Sequence, residues 1–88
     1  MSLTPSQADA LLIALDALAK GLPRRFEDVL WLHFGDHWTE YRRFLAAKGH
    51  AKLGTLGTGD GEITDKGREL LNRLRAMRAA QAGVPAMA

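Results

Sequence analysis

Eighty-eight residues with 47% apolar and 25% charged content describe one small domain, because a single core of this size uses most of the chain. The absence of cysteine removes disulfides and thiolate metal sites as staples, and no uninterrupted apolar run or basic leader points to a membrane span or a signal peptide, so the chain is read as cytoplasmic. Net charge is +2, yet residues 1–40 carry three cations against six anions (−3) and residues 41–88 nine against four (+5). The basic half is C-terminal, which suits an acidic partner, nucleic acid or protein, and equally a solvated helix face.

Thr4-Pro5-Ser6-Gln7 has the form of a capping box with proline at the first helical position. The helix that starts there places Ala8, Leu11, Leu12, Leu15, Leu18 and Ala19 on one stripe and ends at Gly21, ahead of Pro23. The adjacent stripe, Ala10, Ile13, Ala14 and Ala17, is small and apolar, so a second element is expected close against it, another helix of the chain or a second copy. A second helix over Pro23–Phe34 turns Phe26, Val29, Leu30 and His33 inward, with Phe34 flanking them and Trp31 further round. Gly35 is read as a left-handed stop and Asp36 as the cap of a third helix.

In that third helix Trp38, Tyr41, Leu45 and the stem of Lys48 form the inward stripe, with Phe44 beside it, and Gly49 ends it. Its outer face carries Asp36, Thr39, Glu40, Arg43, Ala46 and Ala47, with Arg42 at the edge. From His50 the period changes: Ala51, Leu53 and Leu56 fit an extended segment, Thr58-Gly59-Asp60-Gly61 signals a turn, and Glu62-Ile63-Thr64 returns as a hairpin. Thr64 caps a last helix with Asp65 in its first turn and Gly67, Leu70, Leu71, Leu74 and Met77 facing inward. Arg68, Arg73 and Arg75 lie off that stripe, while Arg78 falls on it by angle, where the last turn passes the edge of the core. Residues 1–82 are read as one domain and 83–88 as a loose tail.

Three helices, a two-stranded hairpin and a closing helix is the order of a winged helix-turn-helix domain. Phe44-Leu45-Ala46-Ala47-Lys48-Gly49-His50-Ala51-Lys52-Leu53 resembles the exit from recognition helix to wing in winged-helix regulators. Ile63-Thr64-Asp65-Lys66-Gly67-Arg68-Glu69-Leu70-Leu71 resembles the passage from wing to closing helix in MarR-like and PadR-like regulators. With the wing between them, these segments cover roughly a third of the chain.

The resemblance implies a mainly α fold with a small β-hairpin and a small transcriptional regulator that binds duplex DNA. Its third helix would enter a major groove, with Thr39 and Arg43 reading bases and Arg42, Lys48, Lys52, Lys66 and Arg68 holding phosphates. The chain departs from the pattern in three places. The turn Leu32-His33-Phe34-Gly35-Asp36-His37 lacks the usual Ser or Thr, Asp36 and Glu40 oppose phosphate, and the wing tip Thr58-Gly59-Asp60-Gly61 has no Arg or Lys. The alternative is the same scaffold as a protein-interaction module, a subunit or inhibitor of a larger complex that does not bind DNA. A homodimer fits either reading, through the small-residue stripe or the closing helix.

Other chemistry finds weaker footing. His33 and His37 are four apart, but Gly35 interrupts the helix and no third ligand is evident, so they are read as packing or capping residues. Asp60-Gly61-Glu62-Ile63-Thr64 imitates the middle of a calcium loop whose end positions fall on Leu56 and Gly67, which cannot serve. Gly54, Gly57, Gly59 and Gly61 suggest a phosphate cradle, yet no Lys-Ser or Lys-Thr follows them. Ser2 and Ser6 sit in no nucleophile elbow and the carboxylates form no paired motif, so neither an enzyme nor a cofactor or metal is expected. Trp31 and Trp38 are both read as partly in the core, with at most one exposed, Trp31 before Trp38.

Overall fold

The computed structural model describes residues 4–54 and 60–81; Leu56, Gly57, Thr58, Gly59 and the expected tail lie outside them. The first helix, α1 (Pro5–Ala19), starts as its box dictates. The Gln7 backbone N–H donates to Thr4 Oγ1 at 3.1 Å and the Thr4 N–H to Gln7 Oε1 at 3.0 Å, so two otherwise orphaned donors are satisfied. The helix ends in a Schellman turn, with Gly21 N–H donating to the Leu18 carbonyl and Leu22 N–H to that of Ala17.

Both stripes of α1 are inside. Ala8, Leu11, Leu12, Leu15 and Leu18 are buried on one side, and Ala10, Ala14 and Ala17 on the other at 1%, 0% and 3% exposure. The helix is the spine of the domain, packed by α2 (Pro23–Phe34) and by α4 (Asp65–Gln81). The three alanines of the small-residue stripe are therefore covered within the chain, and Ile13 is half-buried, which leaves the stripe little surface for a second copy.

Helix α2 buries Phe26, Val29 and Leu30 as its spacing predicts. His33, expected inward, is exposed, because the last turn of α2 runs past α1 and only Phe34 finds a partner there, the ring of Tyr41 stacked at 3.8 Å and 17°. Gly35 has φ 56° and ψ −130°, a positive-φ conformation outside the left-handed helical well and open in practice to glycine alone. The chain then makes a 3-10 turn, Gly35–His37, directly into α3 (Trp38–Ala47). No side chain caps α3: Asp36 is exposed, and the Trp38 N–H reaches the Gly35 carbonyl instead, so the expected aspartate cap is replaced by a backbone one.

Leu45 is the one fully buried residue of α3, with Trp38, Tyr41 and Phe44 half-buried against the core. Lys48, whose stem was expected inside, is exposed at the C-cap. A second Schellman turn follows, Gly49 (φ 79°) N–H to Ala46 and His50 N–H to Leu45 at 2.9 Å, and it delivers the chain into β1 (Ala51–Leu53). This strand pairs antiparallel with β2 (Gly61–Ile63) in the register Ala51↔Ile63, Lys52↔Glu62 and Leu53↔Gly61. Ala51 and Ile63 face the core, and Lys52 and Glu62 face out.

Thr64 joins the hairpin to α4 and does two jobs. Its hydroxyl oxygen accepts the Gly67 N–H at 3.0 Å, capping α4, and its O–H donates to the Gly49 carbonyl at 2.5 Å, which α3 leaves unpaired. Gly67 lies so close to the hairpin base that a Cβ there would overlap the His50 carbonyl oxygen and stand 2.7 Å from Ile63 Cγ1. Along α4, Leu71 and Leu74 are buried with α1's leucines and Leu70 is half-buried, but Met77 is 44% exposed, since the core has already ended at that turn. Arg78 there pairs with Asp9 at 3.7 Å.

Asp16 of α1 holds Lys20 at the end of its own helix (2.9 Å) and Arg75 across the α1–α4 seam (2.7 Å). Such exposed pairs are each worth ~0–1 kcal/mol, whereas burying one leucine contributes ~1.5–3 kcal/mol, so the leucines dock α4 and the charges only trim its position. The architecture is mainly helical with one small antiparallel hairpin, in the element order the sequence predicts. Among the described residues no helix is long and apolar enough to cross a membrane.

Substituting Gly67→Ala is expected to cost stability at the upper end of the ~1–3 kcal/mol typical of overpacking, because its neighbour is backbone. At Gly61→Ala the closest neighbour is the flexible Leu53 side chain, at 2.8 Å from Cδ2, with the Lys52 carbonyl at 3.4 Å and Leu18 Cδ1 at 3.6 Å, so this change should cost less. Thr64→Val should lose about 1–2 kcal/mol through the cap. Urea unfolding midpoints of the three variants check the order.

Candidate functional site

The outer face of α3 is the surface on which base reading was expected. Glu40, Arg43, Ala46 and Ala47 are exposed there and Thr39 is half-buried, with exposed Asp36 in the preceding turn. His37 Nδ1 lies 3.6 Å from Glu40 Oε2, so Arg43 is the only cation of this helix face with no ion pair among the described residues. One arginine among two carboxylates and two alanines is a mosaic, not a basic stripe.

Arg42 has a different occupation from the one expected. Its Nε donates to Glu27 Oε2 at 2.9 Å and its Nη2 to the Gly54 carbonyl at 2.6 Å, with the Arg42 and Glu27 side chains only 12% and 13% exposed. The guanidinium thus ties α2, α3 and the far end of β1 together, and a phosphate would have to displace a charge-assisted pair to reach it. Arg42 belongs to the scaffold and leaves the set of free phosphate-binding groups.

The remaining cations fall into two groups. The charges of Lys48, Lys66 and Arg73 all act on His50 at the base of the hairpin, and Lys52 stands on the outer face of β1 opposite Glu62. Arg68 lies on another flank of α4, about 200° round from Lys66 at 100° per residue. There it lines a groove of about 340 Å³ with Asp16, Ala19, Lys20, Leu71, Asn72 and Arg75. Arg68 is therefore set apart from Lys66, with which it was expected to hold phosphate.

His50 is 8% exposed, and its Nδ1 has no hydrogen-bond partner among the described residues. Burial pushes its pKa below the ordinary imidazole value; a backbone hydrogen bond at Lys66 opposes this, and the charges of Lys66, Arg73 and Lys48 add to the depression. Phe44 packs beside it with ring centroids 6.3 Å apart. No group of three His, Cys, Asp or Glu side chains among the described residues converges as metal ligands.

Trp31, the tryptophan named as the one to be exposed, is exposed, and around it on α2 lies a feature that sequence reasoning missed. Leu22, Trp31 and Leu32 are 46%, 58% and 70% exposed, and a groove of about 630 Å³ runs along Gly21, Leu22, Pro23, Arg24, Arg25, Asp28, Val29 and Leu32. The available signal was angular: Leu30 and Leu32 are two residues apart, about 200° round a helix, so both cannot enter one core. In so small a domain three large apolar side chains left on one helix form a surface that solvent alone does not explain.

Removing the tie with Arg42→Ala is expected to cost about 2 kcal/mol, and a double-mutant cycle with Glu27→Gln in thermal unfolding should return a coupling of at least ~1 kcal/mol. For His50 the folded chain binds fewer protons than the unfolded one once pH falls below the ordinary imidazole value of 6.5. The contribution of neutral His50 is thus present above pH 6.5 and is lost as pH falls from there toward its lower folded pKa. Tm should drop between pH 7.5 and 5.0, and a His50→Gln variant should show a flatter profile.

No protein-family model, no curated protein and no solved structure matches this chain, so its function is argued from its own residues.

Proposed function

We propose that this chain is a winged-helix scaffold used as a protein-interaction module, docking through the outer face of α2, and that it is not an enzyme. The observation that carries the reading is the exposure of Trp31 and Leu32 on α2 and of Leu22 at its N-cap, with Leu22 and Leu32 lining a groove. Tryptophan with flanking leucines and arginines is the composition of an interface centre, where burying a large rigid ring yields much of the affinity. The α3 face supports the same reading from the other side, because Asp36 and Glu40 offset Arg43 and the scaffold holds Arg42. A winged helix whose third helix is not its working surface keeps that helix as a brace.

Affinity purification of the tagged chain from cells that produce it tests this, with wild type compared against a Trp31→Ala, Leu32→Ser variant whose folding is confirmed by circular dichroism. The expected result is a stoichiometric protein, a different one or an untagged copy, retained by wild type and lost from the variant. Recovery of nucleic acid unaffected by the α2 changes but lost with Arg43→Ala overturns the reading in favour of DNA. Anisotropy on mixed-sequence duplex should correspondingly show no binding at ~10 µM protein in 100 mM salt, whereas a dedicated binder shows a steep salt slope.

A further inference from the structure

The outer surface of α2 has an order that its exposure alone does not require. Arg25, Asp28 and Leu32, spaced three and four apart, run nearly along the axis of α2, and Gly21, in the turn before the helix, lines the same groove. Leu22 and Val29 flank this seam on one side, Arg24 and Trp31 on the other. Arg24, Arg25 and Asp28 are exposed and make no ion pair among the described residues. Read from one end, the seam is open, positive, negative, apolar, and reversal gives its own complement.

The geometry points to a second copy of this chain as the occupant of the α2 face, packed antiparallel about a two-fold axis between Phe26 and Glu27. That axis sets Arg25 opposite Asp28 of the second copy and Gly21 opposite its Leu32, each contact made twice. Gly21 is suited to the role, since a Cβ there would meet nothing within 4 Å and the space admits a leucine from outside. The groove runs from Gly21 to Leu32, so each copy supplies both the open end and the leucine that enters it in the other, as an isologous interface requires. Because the axis is perpendicular to both helices, each flank stays on its own side. Trp31 then lies over Arg24 of the second copy, cation to ring face.

The charge pattern is what selects a second copy over another protein, for any partner must present a negative-then-positive pair between apolar ends, and this chain carries that pair already. One twelve-residue helix per copy makes a small interface, at or below ~1,200 Å², so the dimer is weak, with Kd on the order of 10 µM or higher. This deepens the reading of α2 as an interaction surface and rests on it.

Sedimentation equilibrium from 5 µM to 1 mM provides the test. Wild type should rise from 9.6 kDa toward twice that mass. Arg25→Asp and Asp28→Arg, both at exposed positions, should each weaken self-association at least ~10-fold by placing like charges opposite one another. An equimolar mixture of the two variants should restore it, because one copy then presents two carboxylates and the other two guanidiniums, so both facing pairs are again opposite in sign. Circular dichroism confirms that each variant is folded. A wild-type mass that stays at 9.6 kDa at 1 mM overturns the proposal, as does association unchanged by either swap or a mixture that is not restored. A monomer in solution that still retains a different protein in a Trp31-dependent and Leu32-dependent way overturns self-association alone and leaves the α2 reading standing.

Discussion

The structure depends most on the contact between the Gly67 backbone and the His50 carbonyl. Four elements meet there: α3 ends, β1 begins, β2 ends and α4 begins within the span of Gly49, His50, Thr64 and Gly67. Each element arrives with an unsatisfied backbone group, and each finds its partner in another. The Gly49 carbonyl takes the Thr64 hydroxyl, the His50 carbonyl takes the Thr64 N–H, and the Gly67 N–H takes Thr64 Oγ1. Satisfying three groups at once demands a close approach, and only a residue without Cβ allows it. The hairpin is three residues per strand and could not stand alone; it is held because both its ends are anchored at this junction.

A second tie works at the opposite end of the hairpin. Arg42 holds Glu27 and the Gly54 carbonyl, while Phe34 stacks on Tyr41 across the turn from α2 to α3. Together they set the angle between the two helices and the position of the strand beyond. A largely buried guanidinium with an ionic partner and a carbonyl is expensive to disturb, so these contacts make the arrangement stiff rather than adaptable. They also change the meaning of the charge total. Arg42 braces the fold, Arg75 and Arg78 reach across to α1, and Lys48, Lys66 and Arg73 gather around His50. The basic C-terminal half is real as a count, but Arg42, Arg75 and Arg78 are already paired with carboxylates of the first two helices.

Helix α2 is the counterpart of that economy. Its inner side is fully engaged by α1 and α3, and its outer side keeps three apolar side chains in water. Exposure of this kind is costly to solubility unless something covers it, which is the ground for proposing that the chain docks through α2. The braces leave α2 rigid, and a rigid face presents its pattern of charge and apolar groups without an ordering cost at the moment of binding.

Local chemistry determined the element boundaries, and these were legible. Thr4 with Gln7, Gly21, Gly49 and Thr64 act on backbone groups within a few residues of themselves, so their effect follows from sequence alone. Helix periodicity likewise named most of the core, from Leu11 to Leu74. Only the tertiary structure decided where the core stops and which charges remain free. His33, Lys48 and Met77 have inward angles but lie beyond the covering element, since angle specifies a direction and burial requires something to meet there. Arg42 was taken for a free cation because Glu27 and Gly54, fifteen and twelve residues away, are brought to it by the fold. The exposed face of α2 emerged the same way, as the side of an amphipathic helix that no element among the described residues covers.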